Sequence, residues 1–142
     1  MDSPAGPICA QAAGPGLLNA SVLLVEDDLT TLRTVEQLLR KFNYRVTTAA
    51  NGREAIQLLL ASRKPGAKPF DLVLTDLLMP EVSGFQLIHE VLHGTAFCDV
   101  PVVVMSSADS QASVLQAFEA GAADYLIKPV RRNEVATLWQ HV

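Results

Sequence analysis

Short apolar runs alternate along this chain with stretches whose apolar positions follow helical spacing. The runs Ser21–Val25, Arg45–Thr48, Leu72–Thr75, Val102–Met105 and Tyr125–Ile127 predict strands. Three are almost wholly apolar, as strands are when both faces of a parallel sheet are covered. Between them Leu32, Val35, Leu38, Leu39 and Phe42 predict a first helix. After the Asn51-Gly52 turn, Ala55, Ile56, Leu59 and Leu60 predict a second. Phe85, Ile88 and Leu92 mark a third, and Val114, Leu115 and Phe118 a fourth that ends at Gly121. A fifth begins near Asn133 and runs through Val135, Leu138 and Trp139. Repeated β-α units imply right-handed crossovers and an α/β fold with a doubly wound, five-stranded parallel sheet. In such folds the site lies at the carboxyl ends of the strands.

Three of the runs close on charged residues. Val22-Leu23-Leu24-Val25 is followed by Glu26-Asp27-Asp28, Leu72-Val73-Leu74-Thr75 by Asp76, and Tyr125-Leu126-Ile127 by Lys128. Carboxylates that converge repel, so they need a divalent cation, a shared proton or a basic partner. Asp28, before Leu29-Thr30-Thr31, suits a helix N-cap. Three consecutive acids exceed what a cap needs, and with Asp76 they make a hard oxygen site suited to Mg²⁺. Asp76 alone could be a turn residue. Pro80 and Gly84 allow a tight loop in which the Leu78 carbonyl faces the metal. A carboxylate beside Mg²⁺ and Lys128 can attack a phosphoryl group. Ser106, ending the fourth run, could hydrogen-bond a phosphoryl oxygen or be ordinary turn material. Lys128 could snorkel at the surface, and Pro129 behind it allows a cis peptide that aims it inward. Tyr125 is either core or a rotamer switch, with periodicity favouring core. His89, His93 and His141 lie away from the strand ends; the first two are spaced i, i+4 but lack a third ligand, and none is assigned chemistry.

At 142 residues the chain can bury a real core. Its net charge of −4 gives no reason to expect nucleic-acid binding. No apolar stretch approaches the roughly 20 residues of a membrane span. Residues 1–19, rich in Pro, Gly, Ala and Ser, read as a flexible lead-in, not a signal peptide. Cys9 and Cys98 lack metal or redox spacing and suit a reducing compartment, cytoplasmic or nuclear. The segment Ser62–Pro69 reads as a solvated basic loop. The chain stops at Val142, inside the last helix, which suggests a domain excised from a longer protein.

The stretches LLVEDD, LVLTDLLMPEVSGFQLI, VVVMSS and AGAADYLIKP, in this order, resemble the receiver domain of two-component response regulators. The resemblance covers residues 20–142 and implies a flavodoxin-like (βα)5 fold. It implies a phosphoacceptor at Asp76, a direct Mg²⁺ ligand at Asp27 with Glu26 as its outer partner, and a backbone ligand at the Leu78 carbonyl. It further implies a switch hydroxyl at Ser106, a phosphate-contacting base at Lys128 and a switch aromatic at Tyr125. The C-terminal stretch KPVRRNEVATLWQHV is similar to plant and algal pseudo-response regulators, the clock-associated group, in which the phosphoacceptor is often replaced by Glu. This chain keeps Asp76.

The resemblance implies a phosphorelay module and not an enzyme, with slow autodephosphorylation at most. A histidine kinase or histidine phosphotransfer protein would donate to Asp76. The face formed by the fourth helix, fifth strand and fifth helix would serve a homodimer or a partner regulator of transcription. The competing reading is a phosphorylation-independent interaction module in which Trp139 and its helix carry the function. A Mg²⁺ phosphohydrolase would want a second acid two residues after the nucleophile, where Leu78 stands.

Overall fold

The computed structural model describes residues 20–77, 79, 83–93, 100–107 and 111–141. Five strands, β1 (Ser21–Val25), β2 (Arg45–Ala49), β3 (Leu72–Asp76), β4 (Val102–Ser106) and β5 (Asp124–Ile127), form one sheet in the order β2-β1-β3-β4-β5, every pair parallel. The helices are α1 (Leu29–Lys41), α2 (Gly52–Ser62), α3 (Gly84–His93), α4 (Gln111–Ala120) and α5 (Arg132–Ala136), followed by a 3₁₀ turn at Leu138–His141. The doubly wound α/β sheet expected from the alternating pattern is the observed one. No described helix is long and apolar enough to cross a membrane.

Strand alternation sorts the core into two layers. Val22, Leu24, Leu72, Leu74, Val103, Met105 and Leu126 face one side of the sheet, covered by Leu32, Val35 and Leu39 of α1 and by Val135 and Leu138 at the end of the chain. Leu23, Val25, Val73, Val102 and Val104 face the other, covered by α2, α3 and α4 through Leu59, Leu87, Ile88, Val91 and Ala117. Each fully buried Leu or Ile contributes about 1.5–3 kcal/mol relative to exposure, and side chains of this kind make up most of both layers.

Local chemistry sets the boundaries. Asp28 caps α1: its Oδ2 accepts from Thr31 N at 3.1 Å and from the Thr31 hydroxyl at 2.6 Å. Asn51 caps α2 by accepting from Glu54 N, while Glu54 Oε1 accepts from Ala50 N, both at 2.8 Å. That reciprocal box satisfies two donors the helix cannot use itself. After α1 the chain turns at Asn43, whose φ of 66° is a left-handed conformation that Asn tolerates. Gly121, at φ 117°, ends α4; a side chain there would run into Leu92.

The structure shifts several expectations. Strands β2, β3 and β4 extend one residue further, so Asp76 and Ser106 are strand residues. The buried side of α3 is Leu87, Ile88 and Val91, with Phe85 and Leu92 only partly covered. In α4, Val114 and Ala117 are buried, whereas Leu115 and Phe118 are 65% and 40% exposed. The fifth helix stops at Ala136 and gives way to the 3₁₀ turn. The Ser62–Pro69 loop is largely exposed, as its composition implies. Leu78, Pro80, Cys9, Cys98 and the Trp139 side chain fall outside the described residues.

Tyr44 fastens the last segment to the sheet. It is buried, and its hydroxyl donates to the Val135 carbonyl of α5 at 3.2 Å. Tyr44→Phe removes this donor and leaves the Val135 carbonyl to the Thr137 N–H, so we expect a loss of roughly 0.5–1.5 kcal/mol by chemical denaturation. Faster amide exchange across residues 132–141 should accompany it. Unchanged exchange there would show that α5 is held by Val135 and Leu138 alone.

Candidate functional site

The sheet order places β1 and β3 side by side while the chain leaves them in opposite directions, so a crevice opens at their carboxyl ends. Val25 pairs with Thr75, which puts Glu26 and Asp76 next to each other just beyond the ladder. One carboxylate oxygen from each of Glu26, Asp27 and Asp76 falls within 4.8 Å of the others. Glu26 is 1% and Asp76 7% exposed, while Asp27 opens to solvent.

Lys128 reaches this cluster from the far edge of the sheet. Its backbone N–H donates to the Ser106 carbonyl at 2.8 Å, which anchors it beside the end of β4. Its ammonium stands 2.9 Å from Glu26 Oε1 and 3.2 Å from Asp76 Oδ1. The snorkelling alternative does not describe this side chain, which is only 25% exposed. The Lys128–Pro129 peptide is cis.

Glu26 has a divided environment. Its Oε2 accepts from Asp28 N at 3.1 Å. Its Oε1 is shielded from solvent and has no aligned hydrogen-bond donor among the described residues, although the Lys128 ammonium is close. Burial pushes the Glu26 carboxyl above its ordinary 4.5, against the pull of Lys128 and Asp28 N–H, and the Asp76 charge adds to the rise. Burial also works against the Lys128 ammonium, but Glu26 and Asp76 outweigh it and hold its pKa above the ordinary 10.5. Asp28 belongs to the cap: the Thr31 hydroxyl and N–H lower its pKa.

Leu77 and Gly84 are held close together beyond Asp76. Leu77 N donates to the Met105 carbonyl at 3.1 Å, and Gly84 N to the Leu77 carbonyl at 2.8 Å. A Cβ on Gly84 would lie 2.7 Å from the Asp76 carbonyl oxygen and 2.8 Å from Leu77 Cα, so only glycine fits without a backbone shift. Ser83 and Gln86 cap α3 reciprocally, at 2.9 and 3.3 Å. This serine-to-glutamine box was readable in the sequence and escaped the reading above.

Ser106 is buried beside Asp76's neighbour in the ladder, and its hydroxyl donates to the Ser107 carbonyl at 3.2 Å. Tyr125 is not core. It is 39% exposed, and its ring stands edge-on to Phe118 of α4, with centroids 5.6 Å apart and planes at 88°. Periodicity misjudged it because β5 is an edge strand with only one neighbour. His141, placed away from the strand ends, pairs with Asp124 Oδ2 at 3.1 Å; nothing in the spacing of these two residues signals that contact.

The Glu26 environment has a consequence for stability. A carboxyl whose folded pKa is raised holds its proton more tightly in the fold than in the unfolded chain. That contribution is full below 4.5 and is lost as pH rises through the folded value. Without divalent cation, the melting-temperature difference between Glu26→Gln and the wild type should therefore grow in the variant's favour as pH climbs above 4.5. A difference that stays constant over that range would mean Glu26 titrates normally.

Residues 22–140 match the family model for the response regulator receiver domain. The chain is 46% identical over 121 residues to the two-component response regulator-like protein APRR9 of Arabidopsis thaliana, covering 85% of this chain and 25% of that one. The curated relatives it matches are much longer, and it spans about 15–25% of their lengths. Among solved structures, the receiver domain of the sensor histidine kinase PA1611 from Pseudomonas aeruginosa, which has a magnesium ion coordinated in its active-site cleft, superimposes with a TM-score of 0.72. The match has 29% identity and covers 85% of this chain and 94% of that one. The Saccharomyces cerevisiae Ssk1 receiver, solved with the histidine phosphotransfer protein Ypd1, gives 0.67 at 26% identity, covering 82% and 83%. Sequence, sheet order and neighbours agree: the chain belongs to the response-regulator receiver family, a signalling domain and not a classical enzyme.

Proposed function

We propose that this receiver takes a phosphoryl group onto Asp76 from a phosphohistidine, and that the added charge alters which partners it binds. The observation that carries the reading is the shared contact of Lys128 with Glu26 and Asp76. The Asp76 carboxylate oxygen attacks phosphorus, the P–N bond to the donor histidine breaks, and the leaving imidazole keeps the electron pair. The product is an acyl phosphate on Asp76, which water later hydrolyses slowly. Lys128 is placed to hold Asp76 at rest and a phosphoryl oxygen afterwards.

The residues present fit Mg²⁺. Three carboxylates against one ammonium leave two negative charges, and Glu26 Oε1 lacks an aligned donor. Asp27, Asp76 and the carbonyl of Leu78 would hold the ion, with Glu26 behind them. Mg²⁺ when bound supplies charge against the phosphoryl oxygens.

Ser106 and Tyr125 form the readout. A phosphoryl group on Asp76 offers the Ser106 hydroxyl a charged acceptor in place of the Ser107 carbonyl. Tyr125, now outside against Phe118, can then turn into the space released. This remodels the face of α4, β5 and α5, through which a second copy or a partner regulator would dock. The donor is a histidine kinase or histidine phosphotransfer protein, and Leu29, two residues after Asp27 and 59% exposed, offers it an apolar foothold. The output is regulation of transcription from the nucleus or cytoplasm, in a rhythm-related pathway of the kind the pseudo-response regulators suggest.

The competing reading is a phosphorylation-independent docking module carried by Trp139 and its helix, and the exposed Leu115, Phe118 and Tyr125 add apolar surface that such a module could use. Acetyl phosphate with Mg²⁺ separates the two. Intact-mass measurement should show one base-labile phosphoryl addition on the wild type and none on Asp76→Asn. Equal addition to both would remove Asp76 from the role, and no addition to the wild type would favour the docking module.

A further inference from the structure

The exposed side of α3 carries a second constellation that the receiver chemistry does not use. His89 and His93 stand one turn apart, and the sequence across them is His-Glu-Val-Leu-His. This is the spacing by which a helix presents two imidazoles to one metal ion with a glutamate beside the first. Both rings are exposed, since the buried side of α3 is Leu87, Ile88 and Val91. Their centroids are 5.6 Å apart with planes tilted by 50°. Neither ring has a hydrogen bond or ion pair among the described residues.

We propose that His89 and His93 form a surface site for a divalent transition-metal ion of the Zn²⁺ or Ni²⁺ class, with water completing the coordination. Three arguments carry it. Two imidazoles on metal–nitrogen bonds of about 2.1 Å bring their ring centres to roughly 5 Å, and the observed centroids, 5.6 Å apart on two exposed side chains, lie near that separation. Imidazole nitrogen selects borderline ions over Mg²⁺, which prefers oxygen. His93 also lies in the last turn of α3, where the helix carbonyls present partial negative charge to a cation.

The site binds and does not hydrolyse. Glu90, the residue that would act as general base in a zinc protease, is partly buried and already engaged with another group. The histidines also lie on the exposed face of α3. The site is separate from the Glu26, Asp27 and Asp76 cluster, so its failure or success leaves the phosphoryl reading untouched.

The test is calorimetric titration of the whole chain with Zn²⁺ in excess Mg²⁺, with Cys9 and Cys98 alkylated so that thiols do not compete. We expect one saturable site, weakened at least tenfold by either His89→Gln or His93→Gln and unchanged by His141→Gln. The wild-type melting temperature should rise with Zn²⁺, and this rise should vanish in the first two variants. Absence of a stoichiometric site, or Zn²⁺ binding and stabilisation in His89→Gln and His93→Gln equal to wild type, would overturn the proposal.

Discussion

A single ammonium shared between two nearly buried carboxylates organises this domain's chemistry. Lys128 stands 2.9 Å from Glu26 and 3.2 Å from Asp76, and those residues come from opposite sides of the sheet's topological switch. Without a cation between them, two carboxylates at adjacent strand ends would favour protonation or separation. With it, Asp76 is held at the crevice while Asp27 stays open to solvent. The ammonium does not finish the job: the cluster keeps surplus negative charge, and Glu26 pays for its burial with a raised pKa. Under the proposed function, that surplus charge is what a divalent ion would balance.

The surrounding fold serves this arrangement. The β1–β3 ladder fixes Glu26 against Asp76, and the Lys128 N–H to Ser106 carbonyl bond fixes the lysine against β4. Gly84 lets the chain fold back onto the Asp76 carbonyl with no room for a methyl group. The same bond to Ser106 ties the acidic cluster to the strand pair that carries Tyr125. On β5, Tyr125 meets Phe118 at the exposed surface, and the proposed readout runs along this hydrogen-bonded connection.

Much of this was legible in the sequence because strand ends announce themselves. Apolar runs closing on Glu26, Asp76, Ser106 and Lys128 identify the carboxyl ends of buried parallel strands, and parallel topology brings such ends together. The Asp28 cap was equally readable, since a short acid before a helical stretch has few other uses. Tyr125 was misread because an apolar edge strand has the same pattern as a central one, while its single neighbour leaves the ring uncovered. Leu115 and Phe118 mark α4 by their spacing, but α4 carries apolar residues on two sides, and periodicity does not say which side meets the sheet. The Asp124–His141 contact joins residues from separate elements and has no local signature.

The most direct test of the shared ammonium is to follow the Lys128 Nζ resonance through an alkaline titration. Lys128 should titrate above 10.5 in the wild type and move back toward that value in Asp76→Asn. A Lys128 that titrates at or below 10.5, with no response to Asp76→Asn, would contradict the account.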